Sequence, residues 1–152
     1  MANNIDPDLV AAGQWAKRYW MASRAVMEEA LRPYDLGTVQ WYVLHLLSTD
    51  GPTGQRELTR ALEVERATLS GVVAALVRKG LAEQCPDLED QRRKVLQLTP
   101  AGAELVATIP NPVRLITEVA FEGVDAADRE TVDRVLREAT QRLTDYKREK
   151  LP

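Results

Sequence analysis

A mainly α fold, with a helix-turn-helix and a two-stranded β wing between long helical flanks, is what this 152-residue sequence predicts. Three observations predict it. Apolar residues recur at helical spacing over most of the chain. Two helical segments near the middle are separated only by Glu63-Val64-Glu65. Two short alternating runs then flank a charged, turn-prone tip, PDLEDQRR, which is the pattern of a hairpin.

Each element has its own signal. Residues 8–32 form a long helix with two adjacent apolar stripes, Leu9, Ala12, Ala16, Tyr19 and Val26 beside Trp20, Met27 and Leu31. That arc is wider than an end helix of one small domain needs, so it suits packing against a second subunit. Arg32-Pro33 and Gly37 end it. Residues 38–49 are apolar nearly all round (Val39, Trp41, Tyr42, Val43, Leu44, Leu46, Leu47), which predicts a buried helix. Asp50-Gly51-Pro52 breaks it. A short helix over 54–62 turns Leu58, Ala61 and Leu62 inward. A helix over 66–79 has Leu69, Val72, Val73, Leu76 and Val77 as its core face, and Gly80 stands where a terminating glycine belongs. Strands follow at 81–85 and 94–99. Thr99-Pro100 opens another helix, with Thr as N-cap and Pro at the first helical position. It is broken or kinked at Ile109-Pro110-Asn111-Pro112 and resumes over 113–122. A final amphipathic helix over 126–149 carries Val132, Val135, Leu136, Ala139 and Leu143.

Composition narrows the function classes. Hydrophobic residues make up 45% and charged residues 28%, too apolar for a disordered chain. A single cysteine, Cys85, excludes an internal disulfide framework and a cysteine-built zinc site. A single histidine, His45, argues against His-rich metal chemistry. No cofactor or metal is expected. The N-terminus lacks a signal pattern and no apolar run reaches membrane length, so the chain reads as a soluble cytoplasmic protein with no membrane partner. There is no nucleophile elbow, phosphate-cradling glycine loop or paired metal motif, so an enzyme is not expected. Net charge is −3 overall, but residues 54–99 carry +1 against −2 on each side. That excess favours a polyanion partner only slightly.

The helix-turn-helix itself suggests double-stranded DNA. A helix of about 10–12 Å fits a major groove roughly 12 Å wide, and a hairpin tip bearing cations can enter the flanking minor groove. On a helical wheel Ala67, Gly71, Ala74 and Arg78 lie opposite the core face, with Thr68, Ser70 and Ala75 beside them. These small side chains permit close approach and hydroxyl contacts. Arg78 sits where a phosphate contact or plain solvation fits better than base reading, whereas Arg66 can serve either target.

The sequence resembles the MarR family of winged helix-turn-helix regulators. The wing and its exit carry the match: Asp87-x-x-Asp90-x-Arg92, then Leu96-x-Leu98-Thr99-Pro100-x-Gly102. Leu76-x-x-x-Gly80-Leu81 and the hydroxyls Thr68 and Ser70 extend it. The resemblance implies a winged helix-turn-helix at 37–100 and a helical dimerisation region from residues 1–36 and 101–152. It implies a homodimer whose first, fifth and sixth helices interlock, presenting two recognition helices to successive major grooves of a pseudo-palindrome. It also implies that Arg92 enters the minor groove and that Asp90 helps hold the wing. Many relatives have Asp-Arg where this chain has Ala74-Ala75, and arginine at the positions of Gly71, Gln84 and Gln91. A DNA face so poor in cations predicts weaker non-specific binding and a shallower salt slope, or contacts supplied instead by Arg56, Arg60, Arg66, Arg92, Arg93 and Lys94.

Six of the eight aromatic residues fall within residues 15–42. Family members often bind small ligands between the dimerisation helices and the winged domain. Trp20 and Trp41 as walls, with Arg18, Arg24 or His45 meeting a carboxylate or phenolate, suit a small aromatic acid that lowers DNA affinity. The competing reading is core packing for the indoles and His45 and solvated charge for the arginines. Cys85, with no adjacent cation to activate it, reads as a packing residue rather than a redox sensor. A different class stays open: a winged-helix dimer that binds another protein, favoured slightly by the weak charge of 54–99 and by Ala74-Ala75.

Overall fold

The computed structural model of the protein describes residues 7–88, 90 and 92–150, with side chains from residue 10 onward. Gln91 lies outside the described residues, and so does the side chain of Leu9. Seven helices are described: α1 Pro7–Leu31, α2 Thr38–Asp50, α3 Gln55–Leu62, α4 Arg66–Arg78, α5 Pro100–Thr108, α6 Pro112–Ala120 and α7 Ala126–Lys150, with a 3-10 turn at Arg32–Tyr34. Strands β1 Thr53–Gly54, β2 Ala82–Pro86 and β3 Lys94–Leu98 form one antiparallel sheet in the order β1-β3-β2. The wing is thus the expected hairpin with a third, two-residue strand on its edge. Thr53-Gly54 had no alternation to reveal it, because its pairing is supplied by Val95 and Leu96 on β3.

The chain divides into two compact units, one running to Val113 and one from Arg114. The first holds the core. Leu31, Trp41, Val43, Leu44, Leu58, Leu69, Val73, Leu76 and Leu96 are at most 2% exposed. These residues come from α1, α2, α3, α4 and β3, so α2 is the central post on which the helix-turn-helix and sheet are assembled. Burying such aliphatic side chains stabilises the fold by about 1.5–3 kcal/mol each before conformational entropy is counted.

Two core expectations are corrected. Val77 is 42% exposed rather than on the inward face of α4. Ala61 is exposed on α3, and only Leu58 of that helix is buried. Both lie at the edge of their apolar arc, where a wheel does not distinguish a covered position from an uncovered one. In α2, Val39, Tyr42, His45 and Leu46 are half-buried.

The junction between wing and α5 explains the Leu-x-Leu-Thr-x-x-Gly pattern in physical terms. Gly80 takes the left-handed conformation (φ +69°), and the amides of Gly80 and Leu81 donate to Val77 and Leu76, closing α4. The Thr99 hydroxyl donates to the Gly80 carbonyl at 2.6 Å and accepts from the Gly102 amide at 3.1 Å, capping α5. The Thr99 amide donates to the Leu81 carbonyl. A Cβ on Gly102 would collide with that same Leu81 carbonyl, so only glycine fits.

The second unit, taken alone, consists of the remainder of α6 and all of α7. None of the residues of α7 is buried. Val132, Val135, Leu136, Leu143 and Tyr146 are 40–71% exposed. Ion pairs Asp133–Arg137, Arg134–Glu138, Glu138–Arg142 and Asp145–Arg148 run along the helix at i,i+3 or i,i+4 spacing. Each such pair supports a helix by about 0.2–0.5 kcal/mol.

Candidate nucleic-acid interface

Helix α4 buries Leu69, Val73 and Leu76 and turns Arg66, Ala67, Thr68, Ser70, Gly71, Ala74 and Arg78 to solvent. This is the expected face except for Ala75, which is half-buried. The space where a Gly71 Cβ would stand is open, so no described residue covers the centre of this face. Helix α3 precedes α4 through a tight link in which Glu63 adopts the left-handed conformation (φ 51°). At the other end the Lys79 ammonium pairs with the Asp35 carboxylate at 3.0 Å and reaches the Asp35 carbonyl and Gln40. These bonds fasten the end of α4 to the start of α2.

The wing tip is organised by Asp90. Its carboxylate accepts from the Arg92 amide at 3.0 Å, its carbonyl accepts from the Arg93 amide at 2.8 Å, and the Arg93 carbonyl accepts from the Asp87 amide at 2.9 Å. Asp90 therefore shapes the turn that presents Arg92, whose guanidinium is exposed and makes no ion pair among the described residues. Further down the hairpin, Gln97 donates to Glu83, its cross-strand partner, at 2.8 Å.

Arg93 takes a different part from its neighbour. Its guanidinium pairs with Glu57 of α3 at 2.7 Å. The Glu57 carboxyl is held below its ordinary value of 4.5, first by a hydrogen bond from its own backbone amide and then by Arg93. Both side chains are about half exposed, so the pair is screened and serves geometry more than stability. It ties the wing to α3. Arg56, Arg60, Arg93 and Lys94 line an open cleft with Gly54, Gln55 and Glu57, and of these four cations Arg93 is the one paired with the Glu57 carboxylate. Reading the sequence alone missed Glu57. An exposed acidic residue between two arginines carries no local mark of a partner thirty-six positions away.

The aromatic residues do not form one wall. Trp41 is 2% exposed and stacks on His45, with ring centroids 4.8 Å apart and planes at 8°. Trp20 is 59% exposed under the Arg24 guanidinium, 5.7 Å from its centroid, while Arg24 also pairs with Glu28 at 2.7 Å. Arg18 lies over Trp15 at 5.1 Å. The structure thus brings together Trp41 with His45 and Trp20 with Arg24. Neither the cleft beside α3 nor a second one lined by Glu28, Arg32, Asp35, Leu36, Gly37, Gln40 and Lys79 is lined by any of the five residues expected to meet a ligand. Cys85 is half-buried on β2 opposite Val95.

No helix among the described residues is long and apolar enough to cross a membrane.

Comparison with known proteins follows the same lines. A model of the MarR family matches residues 34–93, from the 3-10 turn after α1 to the wing. The HTH-type transcriptional repressor NicR of Pseudomonas putida is 28% identical over 125 residues, covering 82% of this chain and 79% of NicR. Among solved structures, BpsR of Bordetella bronchiseptica, whose DNA binding is regulated by 6-hydroxynicotinic acid, superposes with a TM-score of 0.74. It is 26% identical, with 84% of this chain and 91% of that one covered. A MarR variant from E. coli bound to operator DNA has the same fold, with a TM-score of 0.75 at 22% identity and coverage of 89% and 99%.

Proposed function

We propose that this chain, which matches a MarR family model over residues 34–93 and is similar to the repressor NicR, is a MarR-type homodimeric repressor of pseudo-palindromic DNA rather than an enzyme, released by a small aromatic acid. Helix α4 lies in the major groove through Arg66, Ala67, Thr68, Ser70, Gly71 and Arg78. Arg92 enters the minor groove, Asp90 sets its turn, and Arg56 and Lys94 meet phosphates beside it. The observation that carries this reading is the pairing of an uncovered small-residue face on α4 with a wing tip in which Asp90 shapes the turn that presents Arg92, which makes no ion pair among the described residues. Arg93 acts here through Glu57, as a brace for the wing rather than a contact.

The dimer is supported by apolar surface left open on helices outside the helix-turn-helix. On α1, Trp15, Tyr19, Trp20, Met21 and Val26 are 43–66% exposed. On α7 an apolar stripe runs from Val132 to Tyr146. Segments 1–36 and 101–152 would form the dimerisation region and 37–100 the winged domain. A cytoplasmic location goes with this role. The effector class is supported by the regulation of the similar BpsR by 6-hydroxynicotinic acid. In this chain Trp20 with Arg24 and the Trp41–His45 stack, with Arg18 nearby in sequence, offer flat apolar surface and cations to a hydroxylated aromatic carboxylate.

A mobility-shift titration with DNA flanking the chain's own coding region tests the reading. Expected is a specific complex that weakens roughly tenfold or more on Arg92→Ala, with a salt slope lower by about one. Adding 6-hydroxynicotinic acid should quench tryptophan fluorescence and dissociate the complex. Specific binding that survives Arg92→Ala unchanged would remove the wing from the interface. Absence of any specific complex would favour a protein partner for the same dimer.

A further inference from the structure

Every residue from 67 to 77 in α4 is Ala, Thr, Leu, Ser, Gly or Val. The three leucines and valines that face inward, Leu69, Val73 and Leu76, are buried. What remains facing out is Ala67, Thr68, Ser70, Gly71 and Ala74, with Val77 at the edge, 42% exposed. At about 100° per residue, Ala67, Gly71 and Ala74 fall within an arc of about 60°, with Ser70 and Val77 on one side of it and Thr68 on the other.

Base reading by hydrogen bonds in the major groove depends on particular side chains. Guanine is read in bidentate fashion by Arg or Lys, adenine by Asn or Gln, and cytosine by an acidic acceptor. None of these occurs between Arg66 and Arg78. The two arginines stand at the ends of the helix, so its middle carries none of these side chains. Hydroxyls such as Thr68 and Ser70 accept or donate to several bases and discriminate little. The remaining discriminating group is the thymine C5-methyl, whose apolar contact is made by Ala, by the Thr methyl and by Val. The uncovered Gly71 position leaves room for the backbone to come close enough for such short side chains to touch it.

We propose that this chain reads its operator through thymine methyl groups. Ala67, Thr68 and Ala74 are the specificity-determining contacts, and the middle of each half-site is rich in A·T pairs with thymines facing α4. This rests on the DNA-binding reading above and adds the chemical feature that the protein recognises. Specificity comes from excluding water between methyl groups, so it carries little salt dependence of its own. The salt-dependent part belongs to Arg92 and the cations beside α3.

The test starts from a random-sequence duplex library selected on the purified full-length chain. The best-bound duplex is then made with every thymine replaced by uracil, which keeps all hydrogen-bonding groups and removes only the methyl. Each contacted methyl contributes about fourfold in Kd, so the uracil duplex is expected to bind roughly tenfold or more weakly. The Ala67→Gly, Ala74→Gly double variant, checked for folding by circular dichroism, should show a smaller thymine-to-uracil ratio. Arg92→Ala should weaken both duplexes equally. Equal affinity for the two duplexes, a ratio unchanged in the double variant, or selected half-sites made only of G·C pairs would overturn the proposal and leave the DNA-binding reading standing. Failure to enrich any duplex over scrambled DNA would overturn both.

Discussion

Helices α2 and α7 differ in what they need. In thirteen residues α2 buries Trp41, Val43, Leu44 and Leu47. In twenty-five residues α7 buries none. The first is completed by its own chain. The second has an ordered apolar stripe and a ladder of surface ion pairs, yet the side chains of the stripe stay 40–71% exposed. An amphipathic stripe at helical spacing shows that a helix has an inside, and burial shows whether one chain supplies it. α1 divides the same way along its length. Met27 and Leu31 near its end are buried, while Trp15 and Trp20 are exposed.

The contrast can be broken most severely in the core. Leu44→Ala, at a fully buried position, is expected to cost about 2–5 kcal/mol, read from the urea midpoint. A loss below about 1 kcal/mol would mean that α2 is not the post of the fold. A double change on the other helix, Leu136→Asp with Leu143→Asp, is expected to leave the helical circular dichroism of the winged domain in place. It should shift sedimentation from a two-chain to a one-chain mass, weakening association by on the order of 2 kcal/mol or more. A two-chain mass retained at micromolar concentration would assign the stripe some other role.

The smallest effect sharpens the comparison within the wing. Glu57→Gln removes the anchor of Arg93 without touching Arg92. The folded-state carboxyl of Glu57 lies below its ordinary value of 4.5. Its contribution is therefore present at neutral pH and lost as pH falls through the lowered value. Melting temperatures of the two proteins should differ slightly at pH 7 and converge in acid, below the ordinary carboxylate range. A difference that persists in acid would refute the linkage.

Much of this was legible because it is local. The Thr99-Pro100 cap, the Gly80 stop, the turn-prone tip and the helical spacing of 66–78 all act over a few residues, and each produced the element expected. The exposed face of α4 followed from the same spacing. What sequence could not supply was long-range. β1 exists only because β3 lies beside it. Glu57 meets Arg93, and Lys79 meets Asp35, across distant parts of the chain. The expected ligand residues shared composition and neighbourhood in sequence, but their side chains sort into separate pairs, because Trp41 faces the core and Trp20 faces solvent.

The cluster of Gly80, Leu81, Thr99 and Gly102 has a mechanical consequence. Hydroxyl and amide bonds lock the last turn of α4 to the first turn of α5, and a carbonyl lies in the space a methyl would need. Such a joint has no play. Force applied along α5 would swing the hairpin and α4 together as a single crank, so a signal arriving there would change where the exposed face of α4 points and not its shape.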